Sequence, residues 1–172
     1  MRHLSGLTVM VLALAPMPVL AGFQFTSIDG GVIDLADWAG QPVLVVNTAS
    51  LCGYTPQYDG LQALYDRYAA RGLVVLAVPS DDFAQELGTE AAVKDFCTAN
   101  FDLTLPMTEI TSVTGDTAHP FYQWLRAETG FEPGWNFNKV LIGPDGKVVD
   151  TWGSAAEPEG RAIRARIEAL LK

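Results

Sequence analysis

The stretch that decides the fold is "VLVVNTASLCGYTPQYDGLQALYDRYAARGLVVLAV", residues 43–78. It opens on an unbroken apolar run, Val43 to Val46, and closes on another, Leu73 to Val78. Apolar runs without polar alternation mark strands covered on both faces. Between them Tyr58, Leu61, Leu64, Tyr65 and Tyr68 recur at helical spacing, and Gly72 supplies the stop. Thr55 stands where a helix cap belongs, with Pro56 at the first helical position, where its missing N–H is harmless. Two buried strands joined by a helical crossover pair in parallel.

Working outward, "GFQFTSIDGGVIDLADW" (22–38) reads as two short strands around the Asp29-Gly30-Gly31 turn. A helix is expected over 89–99 with Val93, Phe96 and Cys97 on one face, and another from Pro120 with Phe121, Trp124 and Leu125 inward. "KVLIG" and "KVVDTW" form a hairpin across Pro144-Asp145-Gly146, and a last helix carries Ile163, Ile167, Leu170 and Leu171. The order predicts an α/β sandwich with a mixed central sheet flanked by helices.

The first 21 residues read differently. Arg2 and His3 precede an apolar run from Leu7 to Ala15, broken only by Thr8, and Pro16 and Pro18 precede Val19-Leu20-Ala21. This is the pattern of a secretory signal peptide, too short to span a bilayer well. The expected division is a signal peptide at 1–21 and one domain at 22–172, in a periplasmic or secreted protein with no stable membrane association after cleavage. About 150 residues suffice for a single core. Loss of Arg2 leaves 10 basic against 20 acidic residues, a net charge near −10. Such a surface argues against nucleic acid and anionic membranes as partners.

Cys52 follows a buried strand and precedes a helix N-terminus. Unsatisfied N–H groups and the helix dipole favour a thiolate there, and the thiolate is the nucleophile. Ser50, Gly53 and Thr55 around it suggest an exposed turn. In Cys52-Gly53-Tyr54-Thr55 no second thiol follows, so the site cannot close a local disulfide as a C-x-x-C reductase does. A hydroperoxide suits such a thiol, because attack on it gives a sulfenic acid that a separate thiol resolves. Two other readings stand beside this one. Cys52 could be an inert packed cysteine, or it could pair with Cys97 in a structural disulfide worth roughly 4 kcal/mol by chain entropy. His119, the one histidine after residue 21, reads as a cap or packing residue of the next helix, and no metal site is expected.

"NTASLCGYTPQYDGLQALYDRY" (47–68) closely resembles the nucleophile region of the glutathione peroxidase family, and "AHPFYQWL" (118–125) and "WNFNKVLIGPDGKVV" (135–149) resemble two further family blocks in the same order. The similarity spans roughly residues 23 to 171. It implies a thioredoxin-like fold and thiol-dependent reduction of hydrogen peroxide or organic hydroperoxides, with no cofactor beyond a thiol reductant: a thioredoxin-like protein or glutathione. The family's catalytic cysteine, tryptophan and asparagine fall on Cys52, Trp135 and Asn136. Indole and amide N–H groups can donate to a thiolate or a developing oxyanion.

The family's glutamine position departs. The chain reads "VPSDDF" (78–83), so Asp82 stands there, and a carboxylate donates only when protonated. Asp82 either turns away or accepts the Cys52 proton, and Gln85, three residues on, is the nearest replacement amide. The departure leaves a rival reading, a non-catalytic thioredoxin-fold binding or chaperone-like protein. Thioredoxin-dependent members place a resolving cysteine near Cys97, one residue later, at Thr98 here. Cys97 is therefore read either as resolving Cys52 or as a core thiol. A protein dithiol is expected as reductant in preference to anionic glutathione, since few basic residues lie near the catalytic blocks and the clearest, Lys139, sits in a predicted strand. A monomer is the default.

Overall fold

A computed structural model describes residues 22–171; the expected signal segment lies outside them. An N-terminal hairpin, β1 (Gln24–Thr26) and β2 (Val32–Asp34), is followed by β3 (Val43–Thr48), α1 (Gln57–Tyr68) and β4 (Val74–Pro79). After them come α2 (Glu90–Phe101), α3 (Pro120–Thr129), β5 (Lys139–Ile142), β6 (Val148–Trp152) and α4 (Arg161–Glu168). β3 and β4 are buried along their whole length, as their apolar runs require, and pair in parallel from Val43 with Val74 to Thr48 with Pro79. β5 lies antiparallel on the other edge of β3 and β6 antiparallel on β5, giving the order β4-β3-β5-β6. The sheet is mixed, as the sequence predicts.

Alternate residues of β3 enter two cores, the period-2 geometry of a strand. Leu44 and Val46 pack with Leu61 and Leu64 of α1, Val93 of α2, and Ile163 and Ile167 of α4. Val43 and Val45 pack with Phe25, Leu35 and, from α3, Phe121 and Leu125. Helices thus cover both faces. His119 caps α3 as expected: Nδ1 accepts from Phe121 N–H at 3.2 Å, Nε2–H donates to Gln24 O at 2.8 Å, and the ring stacks on Phe25.

Three local expectations change. α1 starts at Gln57 with Pro56 at the cap and no side-chain cap bond. Thr55 Oγ1 instead accepts from Cys52 N–H at 3.0 Å and donates to Ala49 O at 2.8 Å, because the turn before the helix needs closing more than the helix does. In α3 the buried positions are Phe121, Tyr122 and Leu125, with Trp124 only partly covered. Leu170 and Leu171 pack beyond the end of α4.

The topology brings three loops together at the C-terminal ends of β3 and β4. Ser80 N–H donates to Thr48 O at 3.0 Å, setting the 80–86 segment beside the Cys52 turn. Because β5 runs antiparallel to β3, the residues before Lys139 reach the same end: Phe137 N–H donates to Asn47 O at 2.6 Å.

Candidate active site

The turn is exposed only at Leu51 and Gly53, and Cys52 itself is buried. It is 8% exposed, and Ser50 and Thr55 beside it are buried as well. The turn folds back over the first core, so Ala49 and Cys52 point inward while Leu51, 60% exposed, takes the outer position. Cys52 Sγ accepts from Tyr54 N–H at 3.4 Å, a donor aimed at the negative charge the sulfur carries when it attacks. Cys52 and Cys97 are both free thiols, so the structural disulfide is not formed.

The second loop contacts the Cys52 turn through consecutive residues. Gln85 O accepts from Leu51 N–H at 2.9 Å. Glu86 Oε1 accepts from Ser50 N–H at 3.0 Å and from Leu87 N–H at 2.8 Å. Glu86 Oε2 is buried with no partner, and burial raises this carboxyl above the ordinary glutamate range against the pull of those donors. Asp82 faces elsewhere: its Oδ2 accepts from Val113 N–H at 2.6 Å, Thr114 N–H at 3.0 Å and Ser112 Oγ at 3.2 Å. The aspartate at the family's glutamine position thus fastens the 112–114 loop.

The third loop carries Trp135 and Asn136. Asn47 and Asn138 each donate Nδ2–H to Trp135 O, at 3.0 and 2.7 Å, and Ser154 Oγ donates to Asn136 O at 2.6 Å. The Trp135 ring is 41% exposed and leans on Phe83 with centroids 5.4 Å apart. Asn136 is fully buried and donates Nδ2–H to Gln85 Oε1 at 3.1 Å. Hydrogen bonds therefore connect Asn136 to Gln85, and Gln85 to the residue before Cys52. The sequence reading passed over Asn47, Glu86 and Ser154. A polar residue ending the apolar run of β3 was the one signal for Asn47; Glu86 and Ser154 had none.

Cys97 sits on the α2 face that also buries Val93, and is 2% exposed. Burial pushes its thiol up to about 11, and nearby Glu86 adds to the rise while Tyr58 opposes it. The Tyr58 hydroxyl beside it is buried, with Thr48 as a further neighbour of that hydroxyl. Lys139 is not a surface cation. It is fully buried, donates Nζ–H to Gln57 Oε1 and to Ser154 O, and burial lowers its pKa to about 8. Its β5 position points the side chain at the start of α1, away from any incoming anion. Among the described residues no cluster of three or more His, Cys, Asp or Glu side chains could hold a metal.

Known proteins resemble this chain in sequence and in fold. The sequence profile described as glutathione peroxidase matches residues 20–126. A hydroperoxy fatty acid reductase of Synechocystis sp. is 42% identical over 164 residues, 87% of this chain and 94% of that protein. The crystal structure of Trgpx in apo form superposes with a TM-score of 0.70 at 33% identity, over 90% of this chain and 96% of that one. In fold alone, the thioredoxin domain of a thiol-disulfide oxidoreductase from Bacteroides vulgatus matches with a TM-score of 0.62 at 16% identity, over 93% and 100% of the two chains. The thioredoxin-like expectation is met.

Proposed function

The chain belongs to the glutathione peroxidase family, and from that premise we propose that its thiol-dependent reduction of hydroperoxides runs through Cys52. The carrying observation is the Cys52 sulfur at a strand-to-helix turn, with Tyr54 N–H directed at it and the Trp135–Asn136 loop hydrogen-bonded to the same assembly through Gln85. Sulfur attacks the terminal oxygen of the hydroperoxide, the O–O bond breaks, and the alcohol or water leaves. The resulting sulfenic acid is returned to the thiol by a reductant. The rival non-catalytic reading drew on Asp82, whose carboxylate is occupied by the 112–114 loop.

Several finer assignments belong to the same proposal. Leu51, Phe83 and Trp135 give the site an apolar border, which supports organic hydroperoxides alongside hydrogen peroxide as substrates. The name of the Synechocystis relative points the same way. Cys97 is a packed thiol: with a pKa of about 11 it is thiolate in about one molecule in ten thousand at pH 7. The external reductant then meets the Cys52 sulfenic acid directly. A protein dithiol suits this role, since its second thiol releases the mixed disulfide without a second donor molecule. The protein acts as an exported monomer, and mass spectrometry of the native protein should find its N-terminus near Gly22.

The test is thiol-dependent hydroperoxide consumption by two single variants. Cys52→Ser should abolish turnover with the fold intact, and Cys97→Ala should retain it. Full activity in Cys52→Ser would refute the nucleophile, and loss of activity in a folded Cys97→Ala would restore a resolving role for Cys97.

A further inference from the structure

When the Cys52 sulfur attacks R–O–O–H, a pair of sulfur electrons forms the S–O bond and the O–O bond breaks. The RO⁻ fragment departs with the electrons of that bond and takes up the proton that began on the Cys52 thiol. Sulfur is oxidised by two electrons to the sulfenic acid, and the peroxide is reduced to ROH. The barrier is lowered by a hydrogen-bond donor fixed where RO⁻ develops.

The side chains of the three loops can be searched for a donor beyond the Trp135 indole N–H, which the family blocks already nominate. Asn136 spends one Nδ2–H on Gln85 Oε1 and is fully buried. Asp82 is an acceptor already engaged with Ser112, Val113 and Thr114. Glu86 accepts from Ser50 and Leu87. Gln85 differs from these. Its main chain is pinned to Leu51, the neighbour of the nucleophile, and its Oε1 is pinned by Asn136. Its Nε2 has no acceptor among the described residues, and the residue is only half-buried, so this end of the amide can meet an incoming molecule.

A second observation comes from the backbone. Among the described residues, three other than glycine have positive φ: Ala84 at 53°, Asp102 at 48° and Phe137 at 60°. Asp102 merely caps α2. The other two flank the amide pair, Ala84 immediately before Gln85 and Phe137 immediately after Asn136. Left-handed backbone at residues that carry a Cβ persists only where the surroundings hold it, and such strain concentrates at functional sites. Both members of the Gln85–Asn136 pair are presented by strained neighbours.

We propose that Gln85 is a catalytic amide of this site, donating Nε2–H to the oxygen that leaves as Cys52 is oxidised. The assignment rests on the peroxidase reading above. Asn136 is its positioning residue, holding Oε1 so that Nε2 keeps one direction.

The experiment measures single-turnover formation of the Cys52 sulfenic acid, trapped by a dimedone-type reagent, in the wild type and in Gln85→Met. Two oxidants are compared. Hydrogen peroxide expels hydroxide, a strong base that needs a donor. Peracetic acid expels acetate, a weak base that needs little help. With hydrogen peroxide Gln85→Met should be about 100-fold slower, the loss typical of removing one oxyanion donor. With peracetic acid the loss should shrink to a few-fold. An equal loss with both oxidants would mean that Gln85 only supports the structure, and no loss would mean that it is idle; either result overturns the assignment. The ratio of the two rates is internal to each variant, so Gln85→Ala carries the same test if Gln85→Met does not fold. If the wild type forms no sulfenic acid at Cys52 with either oxidant, the peroxidase reading itself fails and Gln85 falls with it.

Discussion

Glu86 is the buried charge closest in sequence to the catalytic loop contacts, and its ionisation should be visible in stability. Burial raises its pKa above the ordinary 4.5, although donors from Ser50 and Leu87 pull in the other direction. For an acid raised in the folded state, the carboxylate is the disfavoured form. The penalty is absent below about pH 4.5, where folded and unfolded chains are both protonated, and grows as pH rises through the folded value. Glu86→Gln removes the ionisation and keeps an oxygen for Ser50 N–H and Leu87 N–H. The variant should therefore unfold at higher temperature than the wild type at pH 7, and the two should converge toward pH 4. Thermal melts across that window check this; a variant less stable at pH 7 than at pH 4, relative to wild type, would show that the carboxylate is favoured.

At the scale of an element, the turn from β3 into α1 holds Cys52 through one hydroxyl. Thr55 Oγ1 closes both Cys52 N–H and Ala49 O, and all three residues are buried. Thr55→Val keeps the shape and removes both bonds, leaving a buried donor and a buried acceptor unpaired at about 1–3 kcal/mol. Urea unfolding should show a loss of that size, and sulfenic acid formation at Cys52 should slow in parallel. Thr55→Ser, which restores the hydroxyl, should recover most of both. A Thr55→Val variant with wild-type stability would mean that water replaces the hydroxyl. Farther along α1, Gly60 lies in the helix with Pro158 packed on it, where an added Cβ would come within 3.2 Å of the proline ring.

For the whole molecule, the decisive quantity is the acidic balance, a formal net charge of −9 over the full sequence. Lys139, the cation nearest the catalytic blocks in sequence, is enclosed between Gln57 and Ser154. Glutathione is an anion, so like-sign fields slow its encounter, most strongly at low ionic strength. At matched thiol concentration a protein dithiol should give the larger second-order rate constant, and the glutathione rate should fall further as salt is lowered. A larger constant for glutathione that ignores salt would remove the electrostatic argument.

The sequence by itself determined the central sheet and marked Cys52 as the candidate nucleophile. Apolar runs at 43–46 and 73–78 can only be covered strands, and the 3.6-residue rhythm from Tyr58 to Tyr68 can only be the helix between them, because burial periodicity is a local property. The family blocks added Cys52, Trp135 and Asn136 as candidates. Tertiary structure decided how those candidates are supported. That Thr55 serves the turn and not the helix, that Asp82 fastens 112–114, that Lys139 is buried, and that Gln85 joins Leu51 to Asn136 all depend on which loops meet at the end of β3. A polar side chain takes whichever partner the fold delivers, often from 30 to 90 positions away. No local pattern encodes that partner, since hydrogen-bond geometry is fixed only after the strands have registered.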